Sequence, residues 1–145
     1  PQEAQPWLPV NPDYSEGVNV EEQRRDSSSL LNFYRRMLHL RKRLPALMYG
    51  DFTLVGNTQE GETQPDILAF LRQSAQPQQT CLVVMNFSEN RSVNPIQGLA
   101  HLASEFKTSQ AGVLFTNSQH REDKQDLAQL ELAPFEILIV ELQAA

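Results

Sequence analysis

Two acidic pairs, Glu60 with Glu62 and Glu122 with Asp123, have the spacing at which one carboxylate could hold a proton for its neighbour, as general acid–base chemistry requires. Both lie in polar stretches with no apolar surroundings to move a pKa, so solvated surface is the expectation for each. His39, His101 and His120 are too scattered for a zinc-ligand spacing, although His120 stands near Glu122, and a single cysteine adds little. That cysteine, Cys81, sits inside an apolar run; it can form no intrachain disulfide and is expected to be a buried, inert thiol. Arg35, Arg36, Arg41, Lys42 and Arg43 could suggest a phosphate patch, but basic residues along the end of an amphipathic helix are expected to be solvated or paired. Trp7 and Tyr14 could offer aromatic faces to a pyranose; the expectation is instead that they staple a proline-rich loop in place. Asn86-Phe87-Ser88 and Asn90-Arg91-Ser92 match the glycosylation sequon and are read as chance matches. The residues therefore assign no catalytic, cofactor-binding or metal-ligating position and no cofactor.

At 145 residues, with 40% hydrophobic and 21% charged side chains, the chain can bury one good core. Its net charge of −6 argues against binding nucleic acid through phosphates, which takes a concentrated excess of Lys and Arg. The longest apolar runs, residues 67–71 and 81–85, are far shorter than the roughly 20 residues that cross a bilayer. The first residue is Pro1, with no initiator Met and no targeting pattern, so the expectation is a start internal to a longer polypeptide. The lone thiol fits a reducing compartment, and a cytoplasmic location is the expectation.

Stepping along the chain, Pro6, Pro9 and Pro12 fix φ and predict a stiff extended path that lays Trp7, Leu8, Val10 and Tyr14 against other surfaces. Oxygens of Asp26, Ser27 and Ser28 could cap a helix start, and no Pro or Gly follows until Pro45, which predicts a helix over residues 27–44. Leu30, Phe33, Tyr34, Met37, Leu38 and Leu44 form its apolar stripe, with Leu31 and Leu40 widening it. Burying five or six such side chains is worth on the order of 10 kcal/mol gross, so this face needs a partner. After Pro45 the period shortens to two: Met48, Gly50, Phe52 and Leu54 alternate with Tyr49, Asp51, Thr53 and Val55, which predicts a strand. Residues 57–66 read as a loop, 67–72 as a strand, and 73–79 as a connection that could close a hairpin. Residues 80–87 and 135–142, apolar on both parities in part, are expected to be central strands. Strands are also expected at 112–116 and 127–132, a short one at Val93, and a short helix through Leu99, Leu102, Ala103 and Phe106. Strands joined by short polar loops imply an antiparallel sheet or sandwich.

Three stretches carry a resemblance to a known family. Pro6-Trp7-Leu8-Pro9-Val10-Asn11-Pro12-Asp13-Tyr14 is similar to the loop after the eighth barrel strand of glycoside hydrolase family 13, in its α-glucosidase, oligo-1,6-glucosidase and trehalose-synthase branch. Ser29-Leu30-Leu31-Asn32-Phe33-Tyr34-Arg35-Arg36-Met37-Leu38-His39-Leu40-Arg41-Lys42, with Tyr49-Gly50-Asp51-Phe52, resembles the last barrel helix entering the first strand of the β domain. Asn86-Phe87-Ser88-Glu89 with Leu132-Ala133-Pro134-Phe135-Glu136 resembles that domain's middle and final strands.

The resemblance implies a mainly β chain: residues 1–26 as the proline-rich loop, 27–44 as one helix left from the end of a (β/α)8 barrel, and 46–145 as the antiparallel β-sandwich of the family's C-terminal domain. It implies a retaining enzyme acting on α-glucosidic bonds, in which one carboxylate attacks the anomeric carbon and a second protonates the leaving oxygen. In the family those acids belong to barrel strands upstream of Pro1, so no acid here inherits a catalytic role and the chain alone is expected to be inactive. Its implied partners are the N-terminal barrel of the same polypeptide and, through it, an α-glucoside; with no barrel to cover it, the helix is expected to pack either against its own sheet or against another copy, as a homodimer. Two alternatives stay open. One is an independent carbohydrate-binding β-sandwich, which would need exposed aromatics on one sheet face, while the single Trp lies in the loop. The other is the tail of a non-enzymatic amino-acid transporter heavy-chain ectodomain, which shares the fold.

Overall fold

The alternating pattern around residues 67–86 becomes a long hairpin in a computed structural model of the chain, which describes residues 7–55, 66–118 and 121–145. Strands β2 (Ile67–Ala75) and β3 (Gln78–Asn86) pair from Ile67 with Asn86 to Ala75 with Gln78, closed by Gln76 and Pro77 across a cis peptide bond. The expected strand was shorter and the connection longer; Gln73 and Ser74 pair with Thr80 and Gln79, because polar side chains do not stop a ladder whose bonds are made by backbone.

The described chain divides into one unit ending at His39 and a second running Leu40–Ala145. In the first, Pro12–Ser15 forms a short 3-10 turn in which the Asn11 side chain accepts from the Asp13 N–H. Helix α1 (Val20–Arg25) follows, inside a stretch read as loop. Its start is an Asn19 N-cap: the side-chain oxygen Oδ1 of Asn19 accepts from the Glu22 N–H at 2.8 Å. Helix α2 (Leu30–Arg43) contributes to both units and begins three residues later than expected. Asp26 accepts from the Ser28 N–H and hydroxyl, which holds its carboxyl below the ordinary range, while the α2 donors Leu31 and Asn32 go to Gln23 Oε1 and Ser29 Oγ. The helix ends before Leu44, whose extended backbone is what a residue preceding proline adopts.

The second unit departs from the expected strand at its start. Residues 48 and 49 are not strand: Pro45 opens α3 (Pro45–Tyr49), its missing N–H costing nothing at the first helical position. The strand itself is Asp51–Leu54 (β1). Gly50 makes the corner, since a Cβ there would lie 2.4 Å from the Ala46 carbonyl oxygen and 2.7 Å from that of Gln73. The remaining elements are β4 (Ser92–Val93), α4 (Leu99–Glu105), β5 (Phe106–Thr116), β6 (Lys124–Gln125), β7 (Glu131–Leu132) and β8 (Ile137–Ala144). Leu127–Gln129, read as strand, is a 3-10 turn capped by Asp126, whose carboxylate accepts from the Ala128 N–H.

The main sheet has the antiparallel order β1-β2-β3-β8-β5-β6, which puts the two most apolar strands in the middle. One face carries the core: Ala69, Leu71, Leu82, Val84, Leu138, Val140 and Leu142 pack with Leu127, Leu130, Leu132, Ile96 and Leu102. The second layer of the sandwich is thin, made by the β4–β7 ribbon, α4 and the 3-10 turn. On the opposite face α3 lies against β2 and β3, with the Ala46 N–H donating to Gln79 and Arg72 donating to the Ala46 carbonyl.

Candidate functional site

The residues singled out in the sequence do not converge. Glu122 and Asp123 are exposed; Glu60, Glu62 and His120 lie outside the described residues, as do Pro6 and the loop at 57–65. His39 is exposed, and His101 sits 3.4 Å from Glu105 on the open side of α4. All five residues of the basic cluster, Arg35, Arg36, Arg41, Lys42 and Arg43, are exposed. Trp7 is 94% exposed and Leu8, Val10 and Tyr14 are exposed too, so among the described residues nothing staples the proline stretch. Asn86 is buried by its own hydrogen bonds: its amide donates to the carbonyls of Asn90 and Ala133 and its oxygen accepts from the Ser88 N–H, which leaves no free amide for modification. Among the described residues no group of three or more His, Cys, Asp or Glu could hold a metal ion.

Among the described residues the one deeply buried acid is Glu136, at the entry to β8. Arg121 grips it with two parallel hydrogen bonds of 2.7 Å, Nε to Oε1 and a terminal nitrogen to Oε2, with the side chains only 9% and 2% exposed. The Thr116 hydroxyl donates to Oε1 and the Ala133 N–H to Oε2, while Arg121 also donates to the Glu131 carbonyl and to Gln125. Burial pushes the Glu136 carboxyl up, but the Arg121 hydrogen bonds, the Ala133 N–H, the Thr116 hydroxyl and the guanidinium charge together outweigh it and hold the group below its ordinary range. A carboxylate kept ionised and saturated with donors has no proton to give and no lone pair to spare for a substrate. The cluster is a clamp between the ends of β5, β7 and β8. Sequence reasoning missed it; the available signal was an acid preceding the apolar run Ile137-Leu138-Ile139-Val140, a position that demands a cationic partner.

A second feature is a recess on the α3 side of the sheet. Between the pairs Lys107–Gln143 and Gly112–Glu141, β5 takes five steps while β8 takes two, so β5 bulges away and leaves a gap. The gap is a cavity of about 240 Å3 lined by Lys107, Ser109, Gln110, Lys124, Glu141 and Gln143, and a neighbouring one of about 390 Å3 shares Glu141 and Gln143.

Residues 2–50 match the family profile of the alpha amylase catalytic domain, and residues 60–139 match that of the maltogenic amylase C-terminal domain. A probable oligo-1,6-glucosidase 2 of Bacillus subtilis (strain 168) is 36% identical over 88 residues, 61% of this chain and 14% of that protein. An oligo-1,6-glucosidase of Parageobacillus thermoglucosidasius is 28% identical over 138 residues, 95% of this chain and 22% of that protein. Among solved structures, the trehalulose synthase MutB from Pseudomonas mesoacidophila MX-45 superposes with a TM-score of 0.70 at 26% identity, covering 96% of this chain and 22% of that one. The chain thus spans less than a quarter of the length of these relatives.

Proposed function

The chain belongs to the maltogenic amylase C-terminal domain family of glycoside hydrolase family 13, and on that premise we propose that it is the C-terminal, non-catalytic region of an α-glucosidase-like enzyme acting on α-glucosidic bonds. The observation that carries this reading is the pair of consecutive profile matches, the end of a catalytic-domain profile followed by a C-terminal-domain profile, in the order in which a barrel and its trailing β domain follow each other. In this reading residues 1–26 are the loop after the last barrel strand, 27–44 the last barrel helix, and 46–145 the C-terminal β domain. The catalytic carboxylates belong to the barrel, and this chain supplies no catalytic, cofactor or metal residue.

Its role is mechanical. A retaining glycosidase holds two carboxyl groups about 5 Å apart, and small displacements of either change the outcome, so closure of the barrel after its last helix has catalytic consequences without any contact to substrate. Exposed Leu30, Tyr34 and Leu38, one α2 face at four-residue spacing, support this role as the surface that a barrel would cover. Taken alone, the chain would cover the same stripe with a second copy. Cys81, fully buried and unpaired, suits a cytoplasmic setting. No described helix is long and apolar enough to cross a membrane.

Two measurements test the reading. The purified chain should release no glucose from maltose, isomaltose or sucrose, and the coding sequence immediately upstream should encode, in frame, a (β/α)8 domain with its carboxylate pair. Turnover by the chain itself, or an upstream frame without a barrel, overturns it.

A further inference from the structure

Granted the reading of the chain as the C-terminal region of a larger enzyme, we infer that the outer face of the main sheet, opposite the core, is a docking surface for the rest of the catalytic domain in the same polypeptide. That surface adds to the α2 stripe a second contact with the same partner. The strand register makes the sheet apolar on both faces. Core residues alternate along β2, β3 and β8, so the residues between them face outward. They form two rows across the strands, Leu54 opposite Phe70, Val83 and Ile139, and Leu68 opposite Met85 and Ile137. None of these residues is charged. Cover over the rows is uneven: Val83 and Ile139 are buried, Leu68, Phe70, Met85 and Ile137 are half-buried, and Leu54 is exposed.

Beyond the second row, Phe87 is 60% exposed, and Phe135 beside it, its N–H donating to the Ser88 carbonyl, is 59% exposed. Phe135 has a φ of 54°, a left-handed conformation that bulky residues rarely take. Its turn, closed by the Glu136 N–H on the Ala133 carbonyl, would take glycine or asparagine with less strain. Asn117 fixes the same turn, donating to the Phe135 carbonyl and accepting from the Ile137 N–H. A phenylalanine held strained and facing water gains nothing within the described chain, and contact with a partner surface accounts for it.

The chain itself identifies the partner. Residues 2–50, which match the catalytic-domain profile, end where β1 begins at Asp51. Their last element, α3, lies on this same outer face beside Gln79 and Arg72, so catalytic-domain sequence already covers part of it. The matched region is 22% of the oligo-1,6-glucosidase and 22% of the trehalulose synthase, so under that reading most of the catalytic domain lies outside these 145 residues. A domain tethered to α3 meets the face at high effective concentration, and rows without charge fit an apolar surface better than a polar ligand.

Met85, half-buried in the middle of the second row, is the probe. Hydrogen peroxide transfers one oxygen to an accessible thioether, giving the sulfoxide and water, and mass spectrometry of the digested protein follows the product. In the complete polypeptide Met85 should oxidise about tenfold more slowly than in the isolated chain, since susceptibility follows exposure. Leu54→Glu combined with Phe87→Glu gives a second measurement, with Val93→Glu, at an exposed site on the thin layer, as its control. Both variants should leave the urea midpoint of the isolated chain unchanged. In the complete polypeptide only the double variant should restore fast oxidation of Met85 and split one unfolding transition into two. Equal oxidation of Met85 in both forms, or a double variant that behaves as Val93→Glu does, would overturn the docking surface. So would protection of Met85 that grows with concentration in the isolated chain, which gives the face to a second copy. A complete polypeptide without a barrel would instead overturn the reading of the chain.

Discussion

Glu136 and Arg121 are a pair whose value lies in being complete. Removing one partner leaves the other buried and unsatisfied, so Arg121→Met should cost about 3–5 kcal/mol in urea unfolding, more than either exposed ion pair, Arg25–Glu21 or Arg91–Glu131, can contribute. The same pair sets an acid limit. Because the folded carboxyl ionises below the unfolded value of about 4.3, its stabilisation is fully present above that pH and is lost as pH falls through the folded value. Urea midpoints measured between pH 7 and pH 3 should therefore drop, and in Glu136→Gln the drop should be smaller from a lower starting point. Cys81 makes the opposite statement: burial, with the Glu141 charge adding to it, pushes its thiol up to about 12. A thiol reagent at pH 8 should label it only at the rate of unfolding, and prompt labelling of the native chain would refute the burial.

Strands and helices here are held by a few positions that admit one side chain. At the α3–β1 corner, Gly50→Ala places a methyl group against two backbone carbonyls that cannot swing aside, so a loss of about 1–3 kcal/mol in thermal or urea unfolding is expected. The central strands behave differently. Leu138 is fully buried among Leu82, Leu132 and Val140, and truncation to Ala should cost about 2–5 kcal/mol through lost burial and the cavity left behind. Strands β3 and β8 were legible not by a period of two but as runs of continuous apolar residues, because both of their faces are covered. At residues 48 and 49 a period of two misled, since a proline at a first helical position outweighs alternation over a few residues. Helix α1 was illegible by periodicity, with Val20 its only apolar residue; its Asn19 N-cap was the usable sign.

For the molecule as a whole, surface that nothing covers is informative. Leu30, Tyr34 and Leu38 are 64%, 57% and 56% exposed, a continuous apolar line on one helix. Removed from a covering partner, such a line associates with its like, so sedimentation of the isolated chain should show a monomer–dimer equilibrium that shifts with concentration. Replacing Tyr34 and Leu38 by Glu should abolish the dimer and leave the unfolding midpoint of the β domain within about 0.5 kcal/mol of its original stability, as surface changes do. A dimer unaffected by those changes would place the contact elsewhere.

The sequence by itself determined the class of fold, the central strands, the long helix and the family likeness, since each of these is written in local apolar spacing or in contiguous motifs. Only the tertiary structure decided which polar residues meet. Arg121 and Glu136 lie 15 positions apart and Gln79 and Glu141 62 apart; the β5 bulge opens between register pairs on different strands. Such encounters depend on strand order and register, which are settled by the packing of the whole sheet and leave no periodic trace along the chain.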